Sequence, residues 1–323
     1  MTPIHILDPI IRQFAGHHYE IDSRLARELV GLGHKVTIHG STLADPELGA
    51  ALAAAGVGFA PTFRVSMNDM SWDSPEYVRF ARETNADLEA VPDDGLWLWP
   101  TFVPYQFLAS VLHPRHPRQL GWLHRHPRSK NPLRPRTWVL AAKLAASAGL
   151  PMTLGTFEET LREAVAACSF GVEVELLPIP HSGTPNPRAR DGLRRIGFLG
   201  QQRSERGIEL IEPLVIRLLS MGYEVLLQDA NETIRPQTDD PRLTVLGYVP
   251  DFPAAIASCD LLVWPSRSDK YRMRISGVVC EAIASGVPVV VPSGCGPATL
   301  AERYGCGTFF HEFTVESVLE AIV

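Results

Sequence analysis

LLVWPSRSDKYRMRISGVVCEAIASGVPVVVPSGCG, running from Leu261 to Gly296, is the stretch whose reading decides the fold. Its opening run, Leu261 to Trp264, has the unbroken hydrophobicity of a strand covered on both faces, as in a parallel sheet. A polar loop follows with Arg267, Lys270, Arg272 and Arg274, and a helix is expected near Ser276, a residue type suited to the N-cap. The helix carries one carboxylate, Glu281, and the small residues Ala282, Ala284, Ser285 and Gly286, which permit close packing. A second apolar strand, Val287 to Val291, leads into a Gly-rich loop, Ser293 to Gly296. Strand, loop, helix, strand, loop is a βαβ unit, and sheets of such units bind ligands beyond the carboxyl ends of their strands. Both loops fall on that edge.

The pattern extends outward in both directions. Upstream in the second half, strands are expected at 195–199, 224–228 and 243–249, with helices at 208–221 and 252–258. The first half repeats the scheme from a strand at 4–7, a glycine-containing turn (Gly16, His17, His18) and a helix in which Ile21, Leu25, Leu29 and Leu32 recur every three or four residues. Further strands are expected at 36–38, 58–63, 96–99, 120–123, 152–154 and 172–177, and residues 68–94 read as a surface helix with loops. Between the halves, PIPHSGTPNPRARDG (178–192) has linker composition. The expected organisation is α/β: an N-terminal domain over 1–180, a linker over 181–192 and a C-terminal domain over 193–323.

Composition narrows the function. At 323 residues two domains are the natural expectation, and 45% hydrophobic with 20% charged residues is ordinary for a globular enzyme. A net charge of −6 argues against nucleic acid as a partner. The 5 cysteines include no CxxC pair, which suits a reducing, cytoplasmic setting. The N-terminus lacks a basic and apolar leader pattern, and no run is long enough to span a bilayer. One segment departs from the acidic balance: 113–136 holds Arg115, Arg118, Arg125, Arg128, Lys130, Arg134 and Arg136 with no acidic residue, interleaved with prolines expected to prevent regular helix. Two readings stay open, a solvated connector or a surface for a phosphate-bearing acceptor or an anionic membrane, the latter making the protein peripheral to the membrane. The histidines there (113, 116, 124, 126) are too irregularly spaced for a zinc site, and no metal site is expected.

Candidate chemistry gathers on the loops. Arg203 and Arg206 lie in GQQRSERG (200–207), between a strand and a helix, where backbone N–H groups, the helix dipole and two guanidinium groups can converge on an anion such as a diphosphate. Ser276 and Gly277 open the following helix beside Arg274, Gly277 permitting close backbone approach. Glu281, read as lying at the start of a helix among apolar neighbours, needs a partner; a ribose diol or a basic side chain would serve. A Rossmann oxidoreductase is disfavoured, because neither glycine loop gives GxGxxG with a suitably spaced acid.

These segments together resemble the family-4 glycosyltransferases of the GT-B fold, in which two Rossmann-like domains face each other across a cleft. GFLGQQRSERG resembles the strand and loop holding the donor diphosphate. GYVPDFPAAIASCDLLVWPS (247–266), with Tyr248, resembles the stretch that cradles the base, and ISGVVCEAIASGVPVVVPSG (275–294) the signature helix and strand. The resemblance places Glu281 at the glutamate that binds the donor ribose. In the first half, Gly16 and His17 match the N-terminal glycine loop, and WLHRHP puts His124 where the family often has a histidine near the reacting sugar. The family's paired glutamates stand eight positions apart, but eight before Glu281 is Met273. The family also usually continues past the position of Val323 into a helix crossing back to the first domain, so altered domain closure is expected.

What the resemblance implies is a glycosyltransferase moving a sugar from a nucleotide-diphosphate sugar to an acceptor (a glycan, a lipid-linked or a small molecule), with retention of configuration. No metal or further cofactor is needed if Arg203 and Arg206 stabilise the departing diphosphate. The rival, prompted by Met273, is a degenerate relative that binds nucleotide, sugar or a protein partner without turnover.

Overall fold

The computed structural model describes residues 2–14, 17–70, 76–127, 133–178, 181, 192–234 and 236–322, and the chain divides into two compact units, Met1–Pro180 and His181–Val323. In the first unit the chain runs β1 (Ile4–Leu7), α1 (His17–Gly31), β2 (Val36–Ser41), α2 (Pro46–Ala53), β3 (Gly58–Phe63), α3 (Tyr77–Asp87) and β4 (Leu96–Trp99). It continues α4 (Pro104–Leu112), β5 (Arg118–Leu123), α5 (Leu133–Ser147), β6 (Met152–Thr156), α6 (Glu159–Ala166) and β7 (Glu173–Leu176). The second unit runs β8 (Arg195–Phe198), α7 (Ile208–Ser220), β9 (Glu224–Gln228), β10 (Leu243–Leu246), α8 (Phe252–Ala257), β11 (Leu261–Val263), α9 (Gly277–Ala284), β12 (Val289–Pro292), α10 (Gly296–Tyr304), β13 (Gly307–Phe310) and α11 (Val315–Ile322).

All strand pairings are parallel, in a seven-stranded sheet of order β3-β2-β1-β4-β5-β6-β7 and a six-stranded sheet of order β10-β9-β8-β11-β12-β13. Each order reverses once, between β1 and β4 in the first sheet and between β8 and β11 in the second. At such a switch point the flanking crossovers lie on opposite faces and leave a crevice beyond the strand ends. The expected α/β class with two Rossmann-like sheets is therefore the observed one.

The central strands are apolar throughout because both faces are covered. Leu261, Val263 and Val290 pack with α7 and α11, whereas Leu262, Val289 and Val291 pack with α8, α9 and α10, the period-two alternation of a strand distributing one sequence over two cores. Helix α7 meets its core with Leu210, Ile211, Leu214, Val215 and Leu218, spaced three and four apart. In the first unit an aromatic chain (Trp99, Phe102, Phe107, Trp138) links β4 to α4 and α5. Each such side chain, fully buried, contributes about 1.5–3 kcal/mol.

The elements differ from expectation in instructive places. Helix α4 falls in a stretch the periodicity did not flag; Pro104 opens it, and Gln106 caps the Val103 N–H at 2.9 Å. Residues 68–94 are less superficial than composition suggests, since α3 buries Tyr77 and Phe80 against Tyr105 of α4. Arg134, Pro135 and Arg136 lie within α5, not in an irregular connector: a proline in the first turn forfeits no intrahelical hydrogen bond.

Buried His5 of β1 and His39 of β2 share a hydrogen bond (Nδ1 to Nε2, 3.1 Å). His5 Nε2 meets Asp94 at 3.0 Å, and His39 Nδ1 meets the Thr62 hydroxyl at 3.0 Å. Burial, and then the charge of His5, push the His39 imidazole down to about 4.

Candidate functional site

In the second unit the loops after β8, β11 and β12 meet at the carboxyl edge. The loop after β8 turns at Gly200 (φ +95°) and is held by two glutamines: Gly200 N–H donates to Gln228 Oε1 at 2.8 Å, and Gln202 Nε2 donates to the Gln228 carbonyl at 3.1 Å. The Gly200 N–H is thus engaged within the protein, which leaves the side chains a larger share of anion binding than the sequence suggested. Gly207 (φ +70°) lies against the Pro265 carbonyl, with which any Cβ would collide. Its contact joins the loop after β8 to the loop after β11 across the switch point, and Arg267 reinforces the join through an ion pair to Glu209 and a cation–π contact with Phe313 at 4.3 Å.

The two candidate arginines differ. Arg203 is exposed and hydrogen-bonded to Gln201. Arg206 lies across Gly200 against the first turn of α9: a Cβ on Gly200 would stand 2.6 Å from Arg206 Nη1 and 2.7 Å from Val278 Cγ2. Its Nη1 is buried with no hydrogen-bond acceptor among the described residues, and Trp264 Nε1 and Ser266 Oγ, at the end of β11, are orphaned likewise. Buried unsatisfied donors are costly, and three flanking one switch point call for an external acceptor.

Ser276 is the N-cap of α9, its hydroxyl accepting from Val279 N at 3.5 Å, and is itself buried; Gly277 is the first helical residue. Glu281 sits in the second turn rather than at the helix start and is half-buried, because the cap fixes the start at Gly277; it has a partner within the protein. Arg274 closes a turn onto the Tyr271 carbonyl at 3.2 Å, and Gly296 N–H binds the same carbonyl at 3.0 Å, tying the loops after β11 and β12 together. Tyr248, on the loop after β10, is 75% exposed.

In the first unit His124 follows β5, its Nε2 2.8 Å from the Pro100 carbonyl and its ring 5.0 Å from that of Phe157. Gly16 lies outside the described residues, and His17 is the first residue of α1. Of the basic run, Arg128 and Lys130 lie outside the described residues. Arg115 and Arg118 sit at the amino end of β5 and Arg125 at its carboxyl end, a strand of six residues, or roughly 20 Å, between them. Arg115 is spent on the Leu88 and Glu89 carbonyls and the Glu89 carboxylate. Among the described residues no helix is long and apolar enough to cross a membrane.

One cluster went unnoticed in the sequence. Asp8 follows β1 directly at the first switch point, and its carboxylate accepts from Ile10 N at 2.8 Å and from His18 Nδ1 at 2.7 Å. Asp22, one turn beyond His18 on α1, is wholly buried beside Asp8. Burial, the charge of Asp8 and a shared hydrogen bond with it push Asp22 well above the ordinary carboxyl range. Burial alone would raise Asp8 too, but the charge and hydrogen bonds of His18, Asp22 and Ile10 outweigh it and hold Asp8 low. Burial would lower His18, and Asp8 outweighs that and raises it. The available signal was an acid immediately after a strand and a histidine and acid spaced i, i+4 on the following helix.

Two parallel sheets, each reversing its strand order once, are the fold shared with the GT-B glycosyltransferases. More particularly, residues 198–323 match the family described as Glycosyl transferases group 1. Over 135 residues, 41% of this chain, the sequence is 29% identical to the GDP-mannose-dependent alpha-mannosyltransferase of Mycolicibacterium smegmatis; the matched stretch spans 34% of that enzyme. A glycosyltransferase from Rickettsia africae superposes with a TM-score of 0.67 at 12% identity, over 99% of this chain and 87% of that one. The calicheamicin glycosyltransferase CalG4 does so with 0.57 at 16%, over 98% and 88%. At these identities the structural likeness is one of fold.

Proposed function

We propose that the protein is a glycosyltransferase that binds a nucleotide-diphosphate sugar on its C-terminal domain and moves the sugar to an acceptor held by its N-terminal domain. The observation that carries this reading is Arg206, half-buried, whose Nη1 is buried against Gly200 and α9 with no hydrogen-bond acceptor among the described residues. Charge with an unfilled hydrogen-bonding direction, at a switch point and beside a helix N-terminus, suits a diphosphate. As the bond from the anomeric carbon to the diphosphate breaks, negative charge grows on the leaving oxygen. Arg206, with Arg203 swinging from Gln201, would stabilise it without a metal ion or other cofactor. Glu281 is assigned to the ribose hydroxyls, Ser276, Gly277 and Arg274 to the phosphates through the start of α9, and Tyr248 to the base. His17 and His124, with Gly16, are assigned to the acceptor side. Retention of anomeric configuration follows the family resemblance.

The matched mannosyltransferase makes GDP-mannose the first donor to try. Calorimetric titration with GDP, UDP and ADP in EDTA, followed by the hydrolysis of GDP-mannose, UDP-glucose and ADP-glucose, tests the reading. Metal-independent binding and turnover are expected. Binding without turnover of any donor would favour the non-catalytic relative that Met273 suggests.

A further inference from the structure

A donor laid along α9 has a direction. With Glu281, in the second turn, on the ribose and Gly277 and Ser276, at the start, on the phosphates, the two contacts are four residues apart, about 6 Å along the helix axis. The sugar follows the phosphates, so it falls beyond the start of α9, on the turn from Tyr271 to Arg274 that leads into the helix. This turn is pinned. The Tyr271 ring is buried and meets Trp264 edge-on at 4.5 Å, and its carbonyl accepts from Arg274 N–H at 3.2 Å and from Gly296 N–H at 3.0 Å. Arg272 and Met273 are its central residues, the first exposed and the second half-buried.

The charged side chains of the loop fall into two groups. Arg267 is spent on Glu209 and Phe313, and Lys270 on Asp269 at 3.1 Å. Arg272 and Arg274 make no ion pair and no side-chain hydrogen bond among the described residues. A guanidinium carries donors only, and its planar fork fits a carboxylate through two parallel bonds. A neutral hexose asks for something else: each of its hydroxyls donates as well as accepts, so a wall that reads it needs acceptor side chains. Between Arg267 and Ser276 the only carboxylate is Asp269, held by Lys270; the segment has no amide side chain, and Met273 is apolar. With Arg206, Arg203, Arg274 and the start of α9 assigned to the phosphates, the cation of Arg272 is matched neither by the fold nor by an uncharged sugar.

Resting on the glycosyltransferase reading above, we propose that the transferred sugar is acidic, a hexuronate whose C6 carboxylate is bound by the Arg272 guanidinium, with Arg274 between it and the diphosphate. Arg272 is then a specificity-determining residue: it reads the one group in which a uronate differs from its parent hexose and takes no part in bond breaking. Its backbone is held before the donor arrives, because the turn is tied to the loop after β12, so the contact is opposed by the ordering of one side chain and not of a loop.

Three donor pairs differ at C6 alone: GDP-mannose and GDP-mannuronate, UDP-glucose and UDP-glucuronate, ADP-glucose and ADP-glucuronate. Calorimetric titration of the full chain with the pair whose nucleoside diphosphate it binds is expected to show the uronate held about tenfold more tightly than its parent hexose. Arg272→Gln, at an exposed position bonded to nothing among the described residues, should cut that preference below threefold and leave the Kd of the nucleoside diphosphate within twofold. Arg272→Lys, which keeps a cation but loses the fork, should fall between the two. A wild-type preference for the uronate below threefold, or a preference for the hexose, overturns the proposal and leaves the parent reading standing, since binding of the nucleoside diphosphate reports on that reading separately. A uronate preference that survives Arg272→Gln overturns it as well, and so does an Arg272→Gln protein that loses affinity for the nucleoside diphosphate and both sugars alike, which marks a phosphate contact. A wild type that binds no nucleoside diphosphate overturns the parent reading, and this one with it.

Discussion

Arg206 gives a prediction with two signs. Replacing it with Met keeps the aliphatic stem against Val278 and removes the guanidinium whose Nη1 has no acceptor among the described residues. A charged hydrogen bond to a bound anion is worth about 1.5–3 kcal/mol, so loss of one phosphate contact should weaken nucleoside diphosphate binding by roughly 10- to 100-fold. In the free protein the same change removes a buried unsatisfied donor, and its unfolding free energy should stay level or rise by up to about 1 kcal/mol. Titration calorimetry gives the first quantity and urea denaturation at pH 7 the second. Opposite movement of affinity and stability is expected, as for a group strained in waiting for a ligand. An Arg206→Met protein that loses about 2 kcal/mol of stability and binds nucleotide normally would show that the guanidinium serves the fold, and the donor-site assignment would fail.

Further expectations concern the frame of the two sites. His39 is held near 4 in the fold against an ordinary 6.5, so the folded state stays unprotonated there while the unfolded chain takes up a proton. Its stabilisation is complete above about pH 6.5 and lost as pH falls towards 4, by about 3 kcal/mol in all; urea midpoints at several pH values should show a flatter acid dependence in His39→Gln than in wild type, and equal slopes would refute this. Asp22→Asn should stabilise the protein at pH 8 relative to wild type, since a carboxyl whose folded value is raised loses stability as pH rises through it, and an amide does not titrate; a lower melting temperature at pH 8 would contradict the shared proton. Gly207→Ala must displace the Pro265 carbonyl and adopt φ +70°, at a cost of about 1–3 kcal/mol or more, with nucleotide affinity falling alongside; a neutral effect on both would show that the loop can move without consequence.

The central βαβ unit was legible because buried parallel strands leave unbroken apolar runs, and Ser276 announced its helix by capping chemistry. Helix α4 was not, because it is apolar on nearly every side and so carries no periodic contrast. The prolines of 113–136 misled for a different reason: Pro135 falls in the first turn of α5, where a missing N–H costs nothing. The Asp8, His18 and Asp22 cluster escaped because carboxyls read as surface residues until a fold buries them, and the spacing of His18 and Asp22 acquires meaning only once β1 puts Asp8 beside them.

Gln228 deserves a last consequence. Its side chain accepts from the Gly200 N–H at 2.8 Å and reaches the Gly247 carbonyl at 3.4 Å, next to Tyr248. A single amide therefore spans the segments assigned to the two extremities of the donor. A guest that draws the Gly200 hydrogen towards itself would release the amide oxygen and disturb the neighbour of Tyr248. Trimming the guest at one extremity should then alter how much the other is worth, and a thermodynamic cycle over nucleoside, nucleoside diphosphate and Gln228→Ala would register that non-additivity as a number.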